Sequence, residues 1–206
     1  MASFSQSAAI SYGWKTTMKN LKFFVVLLLI MFAVNVIPSN LARVFDNNNS
    51  PLIGFILALI GWILQFAVSL GVIGVALKVY DRKKVQYSNL FDYIHLIIPY
   101  VVAGFIYGVI VLVGLILLIV PGIIWGIKYR YFVYFMVDKN KGPIDALKAS
   151  AKITKGQKWN LFLLGLMLLG LNVLGALALL VGLFVTIPAT IMAEAYVFRK
   201  LSNTGK

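Results

Sequence analysis

Long apolar segments dominate the chain, and polar residues are largely confined to the stretches between them. A helix that crosses a bilayer needs about 20 mostly apolar residues. Residues 95–137 and 159–198 are each too long for one helix, so each predicts two helices joined by a turn. The pattern therefore predicts an all-α fold, a polytopic membrane helical bundle of one domain, residues 1–206. Its six transmembrane helices are expected at about 21–37, 52–78, 96–116, 118–137, 159–177 and 179–198.

An alternative interpretation of the first apolar segment is a secretory signal peptide. About twenty residues precede the segment, it is long, and no small-x-small cleavage site follows it. We therefore expect residues 21–37 to be a retained helix.

Residues 4–19 predict an amphipathic helix ahead of the first span. Lys15 and Lys19 lie to one side of its apolar face. The residues that fall near helical spacing on that face are Phe4, Ala8, Trp14 and Met18. We expect an interfacial helix here, ahead of the first pair of spans.

Residues 143–155, within "GPIDALKASAKITKG", predict a second interfacial helix. Ile144, Leu147 and Ala151 mark the boundary opposite its basic face. Such a helix is expected to lie flat in the headgroup region, with its lysines towards water and anionic phosphates. The alternative is that it packs under the bundle as a linker. The lysines of its basic face are Lys148, Lys152 and Lys155.

Basic residues are divided very unevenly between the two sides of the predicted bundle. Of the 19 Lys and Arg residues, only Arg43 falls in a connection on the far side. Membrane proteins keep Lys and Arg in their cytoplasmic loops, so the division predicts that both termini are cytoplasmic and that the number of spans is even. This bias also accounts for most of the net charge of +13. Nucleic-acid binding is therefore a poor alternative.

The composition argues against a soluble domain and against several kinds of site. Charged residues make up 12% of the chain, against about 25% in a typical soluble domain. Cysteine is absent, which excludes a disulfide framework, a thiolate zinc site and a cysteine nucleophile. The single histidine, His95, has no second ligand nearby in the sequence, and no H-E-x-x-H or G-x-S-x-G motif is present. We expect no catalytic residue, no metal and no cofactor.

Three charged residues fall inside the predicted spans: Lys128, Arg130 and Glu194. A central Lys or Arg costs about 2.5–3.5 kcal/mol on insertion scales, so each charge needs a partner or a route to water. Glu194 lies at a depth comparable to the two cations. We predict an ion pair between Glu194 and either Lys128 or Arg130 that ties two helices together. The alternative is a polar cavity for an anionic headgroup, in which Tyr129, Tyr131 and Tyr134 supply hydroxyl groups.

The last two predicted helix pairs resemble each other in sequence. "IVPGIIWGIKYRYF" (119–132) aligns with "TIPATIMAEAYVFR" (186–199), and a polar stretch precedes each pair. Since every such unit starts on the same side, the repeat is parallel, which weakens an alternating-access mechanism built on inverted repeats.

Two pairs of glycines, each spaced four residues apart, allow close contact between helices. They are Gly104 with Gly108 and Gly122 with Gly126. The contacts would lie within one subunit, in a homo-oligomer, or against a protein partner.

Three motifs carry a resemblance to a known family: "PGII", "KGPIDALKAS" and "ITKGQKWNLF". In these motifs the chain resembles the membrane domain attached to some glycerophosphoryl diester phosphodiesterases. It also resembles stand-alone integral membrane proteins of unknown function from bacteria and archaea. The resemblance covers about residues 60–200 and implies a helical membrane domain in the plasma membrane of a prokaryote. The soluble catalytic barrel of the phosphodiesterases is missing, so their hydrolytic activity is not implied.

The sequence thus favours a non-enzymatic multi-pass membrane protein with a scaffold or accessory role. Its basic amphipathic helices would contact anionic lipid. The alternative is a small transporter or channel for an anionic or amphipathic solute that uses Lys128, Arg130 and Glu194.

Overall fold

The computed structural model describes residues 4–47 and 50–203, and these residues form helices and no strand. Two short 3₁₀ turns, Tyr87–Phe91 and Ile94–Leu96, lie between α3 and α4. The all-α prediction is confirmed. The α-helices are α1 Gln6–Lys19, α2 Leu21–Asn47, α3 Pro51–Tyr80, α4 Ile97–Leu117, α5 Ile119–Tyr129, α6 Phe132–Lys139, α7 Pro143–Ile153, α8 Lys158–Leu177 and α9 Leu183–Asn203.

Three helical hairpins make up most of the fold, and they are α2–α3, α4–α5 and α8–α9. Arg199 near the end of α9 contacts both Asp81 at the end of α3 and Asp138 in α6. The carboxyl ends of α3, α6 and α9 therefore meet at one end of the bundle. The start of α3 and the turns of the α4–α5 and α8–α9 hairpins lie towards the other end.

Buried side chains concentrate at the end of the bundle where α3, α6 and α9 meet, which we call the base. The helix α9 packs against α1, α2, α3 and α8, and Met192 and Phe198 on it are fully buried. The hairpins project from the base with apolar side chains exposed along their outer surfaces. Leu179, in the turn between α8 and α9, is 88% exposed.

Among the described residues, four helical segments are long and apolar enough to cross a membrane. The prediction of six such helices is wrong for the two remaining segments. The expected span 118–137 is divided into two shorter helices, α5 and α6. The expected span 179–198 begins only at Leu183, and α9 carries three charged residues, Glu194, Arg199 and Lys200. The four qualifying segments are Leu21–Phe45, Pro51–Tyr80, Tyr87–Leu117 and Lys158–Leu177.

The helix α1 does not use the face that the sequence predicts. Phe4 is buried, but Ala8 is exposed, and Trp14 and Met18 are 43% and 48% exposed. The buried face consists of small residues, and a Cβ atom at Gly13 would collide with the carbonyl oxygen of Ala189 in α9. Small side chains let the backbones of α1 and α9 approach closely. This close contact decides which face of α1 is buried, although the larger apolar side chains lie on another face. The residues buried from α1 are Ala9, Gly13 and Thr17.

The helix α7 packs against α4, α5 and α6 instead of lying free of the bundle. Ala146 and Leu147 are buried, whereas Ile144 is exposed. One face of α7 is therefore occupied by protein, as the linker alternative expected, and its placement in the headgroup region stays a prediction. The lysines expected on the open face are all exposed, namely Lys148, Lys152 and Lys155.

Candidate functional site

An ion pair between Arg130 and Glu194 lies at the centre of the candidate site. Arg130 stands between α5 and α6, and its Nη2 donates to Glu194 Oε1. The hydroxyl of Tyr131 donates to the other carboxylate oxygen, Oε2, at 2.7 Å. Tyr131 is fully buried and Glu194 is 8% exposed. Both oxygens of this carboxylate are therefore occupied by donors from the α5–α6 segment.

Both donors come from Arg130 and Tyr131, the two residues that separate α5 from α6. The interruption at these residues leaves backbone groups without their intrahelical partners. Such groups are costly when buried, so their new partners decide whether the interruption is stable.

Two hydroxyl groups from α7 supply those partners. The Ser150 Oγ accepts the backbone N–H of Tyr131 at 3.1 Å and donates to the carbonyl oxygen of Lys128 at 3.0 Å. The Thr154 Oγ1 also lies 3.0 Å from the Lys128 carbonyl oxygen. Ser150 and Thr154 are both fully buried. The helix α7 therefore holds the α5–α6 interruption in place from the side.

Aromatic side chains pack around the ion pair. The Arg130 guanidinium lies 5.5 Å from the centre of the Tyr131 ring. The rings of Tyr134 and Phe198 are 5.1 Å apart, and Tyr131 lies 5.5 Å from Tyr134. A charge pair enclosed by apolar rings is screened little by water, so its loss should be felt strongly.

The structure brings together only some of the residues that the sequence suggests. Arg130 and Glu194 form the expected pair. Lys128 does not join it, and its ammonium lies 4.9 Å from the ring centre of Tyr129. The basic residues of α7, Lys148, Lys152 and Lys155, lie on the exposed side of that helix and form a separate surface.

Sequence reasoning missed Ser150 and Thr154. A signal was present, because Ala146, Ser150 and Thr154 recur every four residues and so share one helix face. Small and hydroxyl side chains do not register in a search for apolar periodicity.

A second charged cluster fixes the base of the bundle. Arg199 donates to Asp81 and to Asp138, at 2.7 Å in each case. Lys78 pairs with Asp92 at 2.7 Å. Of the five acidic side chains that the structure describes, four are thus held in ion pairs. Most of the basic side chains remain available to solvent or lipid.

Two clefts lie elsewhere on the surface. One, of about 550 Å³, runs along α1 and includes Ser11, Trp14, Lys15 and, from α8, Met167. The other, of about 190 Å³, lies between α2 and α3. Neither is lined by Arg130 or Glu194. Across the described ranges, no three His, Cys, Asp or Glu side chains come together as a possible metal site.

The fold defines an all-helical protein whose apolar helices are compatible with a membrane protein. The chain belongs to the family described as "Protein of unknown function (DUF975)", whose model matches residues 102–204. That range contains the whole ion-pair site and the α7 hydroxyls.

Two mycobacterial proteins are similar to the chain. The uncharacterized protein Rv2560 of Mycobacterium tuberculosis is 30% identical over 162 residues, which is 77% of this chain and 49% of that protein. The uncharacterized protein Mb2590 of Mycobacterium bovis matches to the same extent. The chain therefore spans about half the length of these curated relatives. None of these matches links the chain to glycerophosphoryl diester phosphodiesterases, so that part of the expected resemblance is not supported. The match to a family of unknown function agrees with the other part. No solved structure matches the chain.

Proposed function

We propose that this protein is a non-enzymatic multi-pass scaffold or accessory protein of a prokaryotic plasma membrane. Its apolar hairpins lie in the bilayer, and its basic base contacts anionic lipid at the cytoplasmic surface. The observation that carries the proposal is the separation within the fold. The hairpins expose mainly apolar side chains, while the exposed lysines of α7 lie on a helix packed at the base.

The lengths of the helices suggest how deep each hairpin reaches. Arg199, Asp81 and Asp138 are in contact and so mark one common level. At 1.5 Å per residue, α3 extends about 45 Å from that level, whereas α9 places the α8–α9 turn about 24 Å away, and α4 is about 30 Å long. The hydrocarbon core is about 30 Å thick. Hairpin α2–α3 therefore crosses it fully, and the other two hairpins end within or at the edge of the far leaflet.

The composition of the turns supports the same placement. The connection between α2 and α3 reads "DNNNS" and suits water on the far side. Residues 109–127 and 173–185 carry no charged side chain and no amide or hydroxyl side chain. Backbone groups in hydrocarbon must be satisfied internally. In the apolar turns, Leu118 N–H donates to the Gly114 oxygen at 3.1 Å, and Leu180 N–H donates to the Ala176 oxygen at 3.0 Å. Both termini are then cytoplasmic.

A structural role for Arg130 and Glu194 is favoured over transport. An anionic solute at Arg130 would have to displace Glu194, both of whose oxygens already accept hydrogen bonds. A carboxylate buried without its cation is strongly unfavourable. The pair also connects α9 to the α5–α6 segment, which is what a scaffold needs.

Lipid contact is tested by thermal unfolding in nanodiscs that contain either phosphatidylcholine alone or added phosphatidylglycerol. Replacement of Lys148, Lys152 and Lys155 by Gln should reduce the stabilisation that phosphatidylglycerol gives by up to about 3 kcal/mol, because each lysine near an anionic surface contributes about 1 kcal/mol. The matched control replaces the same three lysines by Arg, which keeps the charges and should keep the lipid effect. If the Gln variant keeps the full lipid effect, lipid contact through α7 is refuted.

A further inference from the structure

An exposed polar patch lies on the α2–α3 hairpin, close to the exposed Asn40 and Ser69 and among mostly apolar side chains. Gln65 on α3 donates through Nε2 to Asn35 Oδ1 on α2. Asn35 Nδ2 donates to the backbone oxygen of Met31 at 2.9 Å, and Ser39 Oγ donates to the Asn35 backbone oxygen at 2.9 Å. Asn35, Ser39 and Gln65 are all exposed. We call these three residues the amide patch.

The amide patch lies near the middle of the hairpin. Gln65 is about 21 Å of helix from Pro51 and about 24 Å from Asp81. Asn35 lies about 21 Å from the start of α2. If the hairpin crosses the bilayer as proposed above, the patch faces hydrocarbon in the far leaflet, at about the depth of the α8–α9 turn. That placement rests on the proposed function. Polar side chains at such a depth drive helices to associate, because lipid offers them no hydrogen bonds.

The amide patch keeps unused hydrogen-bonding capacity. A Gln or Asn amide offers two N–H donors and an oxygen that accepts two hydrogen bonds. Within the part of the chain that the structure describes, Gln65 uses one N–H and Asn35 uses one N–H and its oxygen. The Gln65 oxygen and one N–H of each amide remain available. The patch therefore presents both donors and an acceptor outward.

A small cleft lies at the patch, between α2 and α3. The cleft, of about 190 Å³, is lined by the patch residues, by Pro38 of α2 and by Ala58, Gly61 and Trp62 of α3. Pro38 lies inside α2, and Gly61 packs directly on its ring. These small residues bring α2 and α3 close together, so the two halves of the patch lie side by side. Trp62 is 64% exposed and stands at the rim.

We propose that the amide patch is a dimerisation surface whose partner is a second copy of this chain in the same membrane. A twofold axis brings the same patch of two copies face to face. Because the patch carries both donors and an acceptor, the free Gln65 oxygen of each copy accepts an amide N–H of the other. Two copies inserted in the same orientation have their patches at the same depth, which a twofold axis along the membrane normal requires.

Disulfide crosslinking in membranes tests this proposal, since the chain contains no native cysteine. A Ser39→Cys variant treated with copper phenanthroline should give a crosslinked dimer, and Leu169→Cys, on the exposed side of α8, should not. Adding Asn35→Leu and Gln65→Leu to Ser39→Cys should reduce the dimer at least fivefold. The Leu substitutions are compatible with lipid, so the protein should still insert.

Three results would overturn the proposal. They are the absence of a Ser39→Cys dimer, an equal yield from Leu169→Cys, and a dimer that forms only through Gly108→Cys on α4. Labelling with a membrane-impermeant maleimide distinguishes a failure of the dimer proposal from an error in the proposed membrane topology. A Ser39 thiol that is unreactive but gives no dimer overturns dimerisation alone. A thiol that reacts readily from water overturns the proposed depth as well.

Discussion

The hydroxyl of Tyr131 donates a hydrogen bond of 2.7 Å to Glu194, which ties the first turn of α6 to the central helix α9. Arg130, one residue earlier, pairs with the same carboxylate. Both contacts come from the two residues that separate α5 from α6. The interruption between α5 and α6 is thus the point where hairpin α4–α5 is joined to hairpin α8–α9.

Replacement of Glu194 by Gln should destabilise the protein strongly. Gln keeps the size and can still accept the Tyr131 hydrogen bond, but it leaves Arg130 without its counter-charge. Breaking a buried ion pair in this way costs about 3–5 kcal/mol. Thermal unfolding in detergent measures the loss, and Asp145→Asn, an exposed acid on α7, is the matched control with an unchanged transition. A Glu194→Gln protein as stable as the wild type would show that the pair does not hold the fold.

Replacement of Ser150 by Ala should also destabilise the fold, although Ser150 has no part in the ion pair. The change leaves the Tyr131 N–H without a partner and removes one donor from the Lys128 carbonyl. A buried backbone group left unsatisfied costs about 1–3 kcal/mol. The measurement is again the unfolding transition. Lys148→Ala, on the exposed side of the same helix, should leave the transition within experimental error, and equal effects of the two changes would contradict the role given to Ser150.

Replacement of Gly13 by Ala should separate α1 from α9. The added methyl group would overlap the Ala189 carbonyl, and overpacking of this kind costs about 1–3 kcal/mol. The released α1 would be cut sooner by protease, which mass spectrometry of the fragments detects.

Gly104→Ala is the matched control for Gly13→Ala. Nothing lies within 4 Å of a Cβ atom at that position, and alanine favours a helix over glycine by about 1 kcal/mol. The control should be as stable as the wild type or more so. Equal protection of α1 in the Gly13→Ala protein would mean that α1 is not held by close contact with α9.

The sequence predicted what depends on composition and missed what depends on a partner helix. Apolar length predicted the three hairpins, and the depth of the charges predicted that Glu194 pairs with either Lys128 or Arg130, of which the structure shows Arg130. The buried face of α1 was missed because the role of Gly13 depends on its contact with Ala189 of α9, which the sequence pattern of α1 does not show. The division of α5 from α6 was missed because nothing in "GIKYRYFV" marks it. It depends on Ser150 and Thr154, which lie about 20 residues further along the chain.

Hairpin depth is the central claim of this account, and cysteine labelling in intact cells tests it most directly. A membrane-impermeant maleimide should label Ser50→Cys from outside and Lys83→Cys only after the cells are permeabilised. Leu118→Cys, in the exposed apolar turn between α4 and α5, should remain unlabelled in both conditions because it lies in hydrocarbon. Labelling of Lys83→Cys in intact cells, or labelling of Leu118→Cys as fast as Ser50→Cys, would contradict the account.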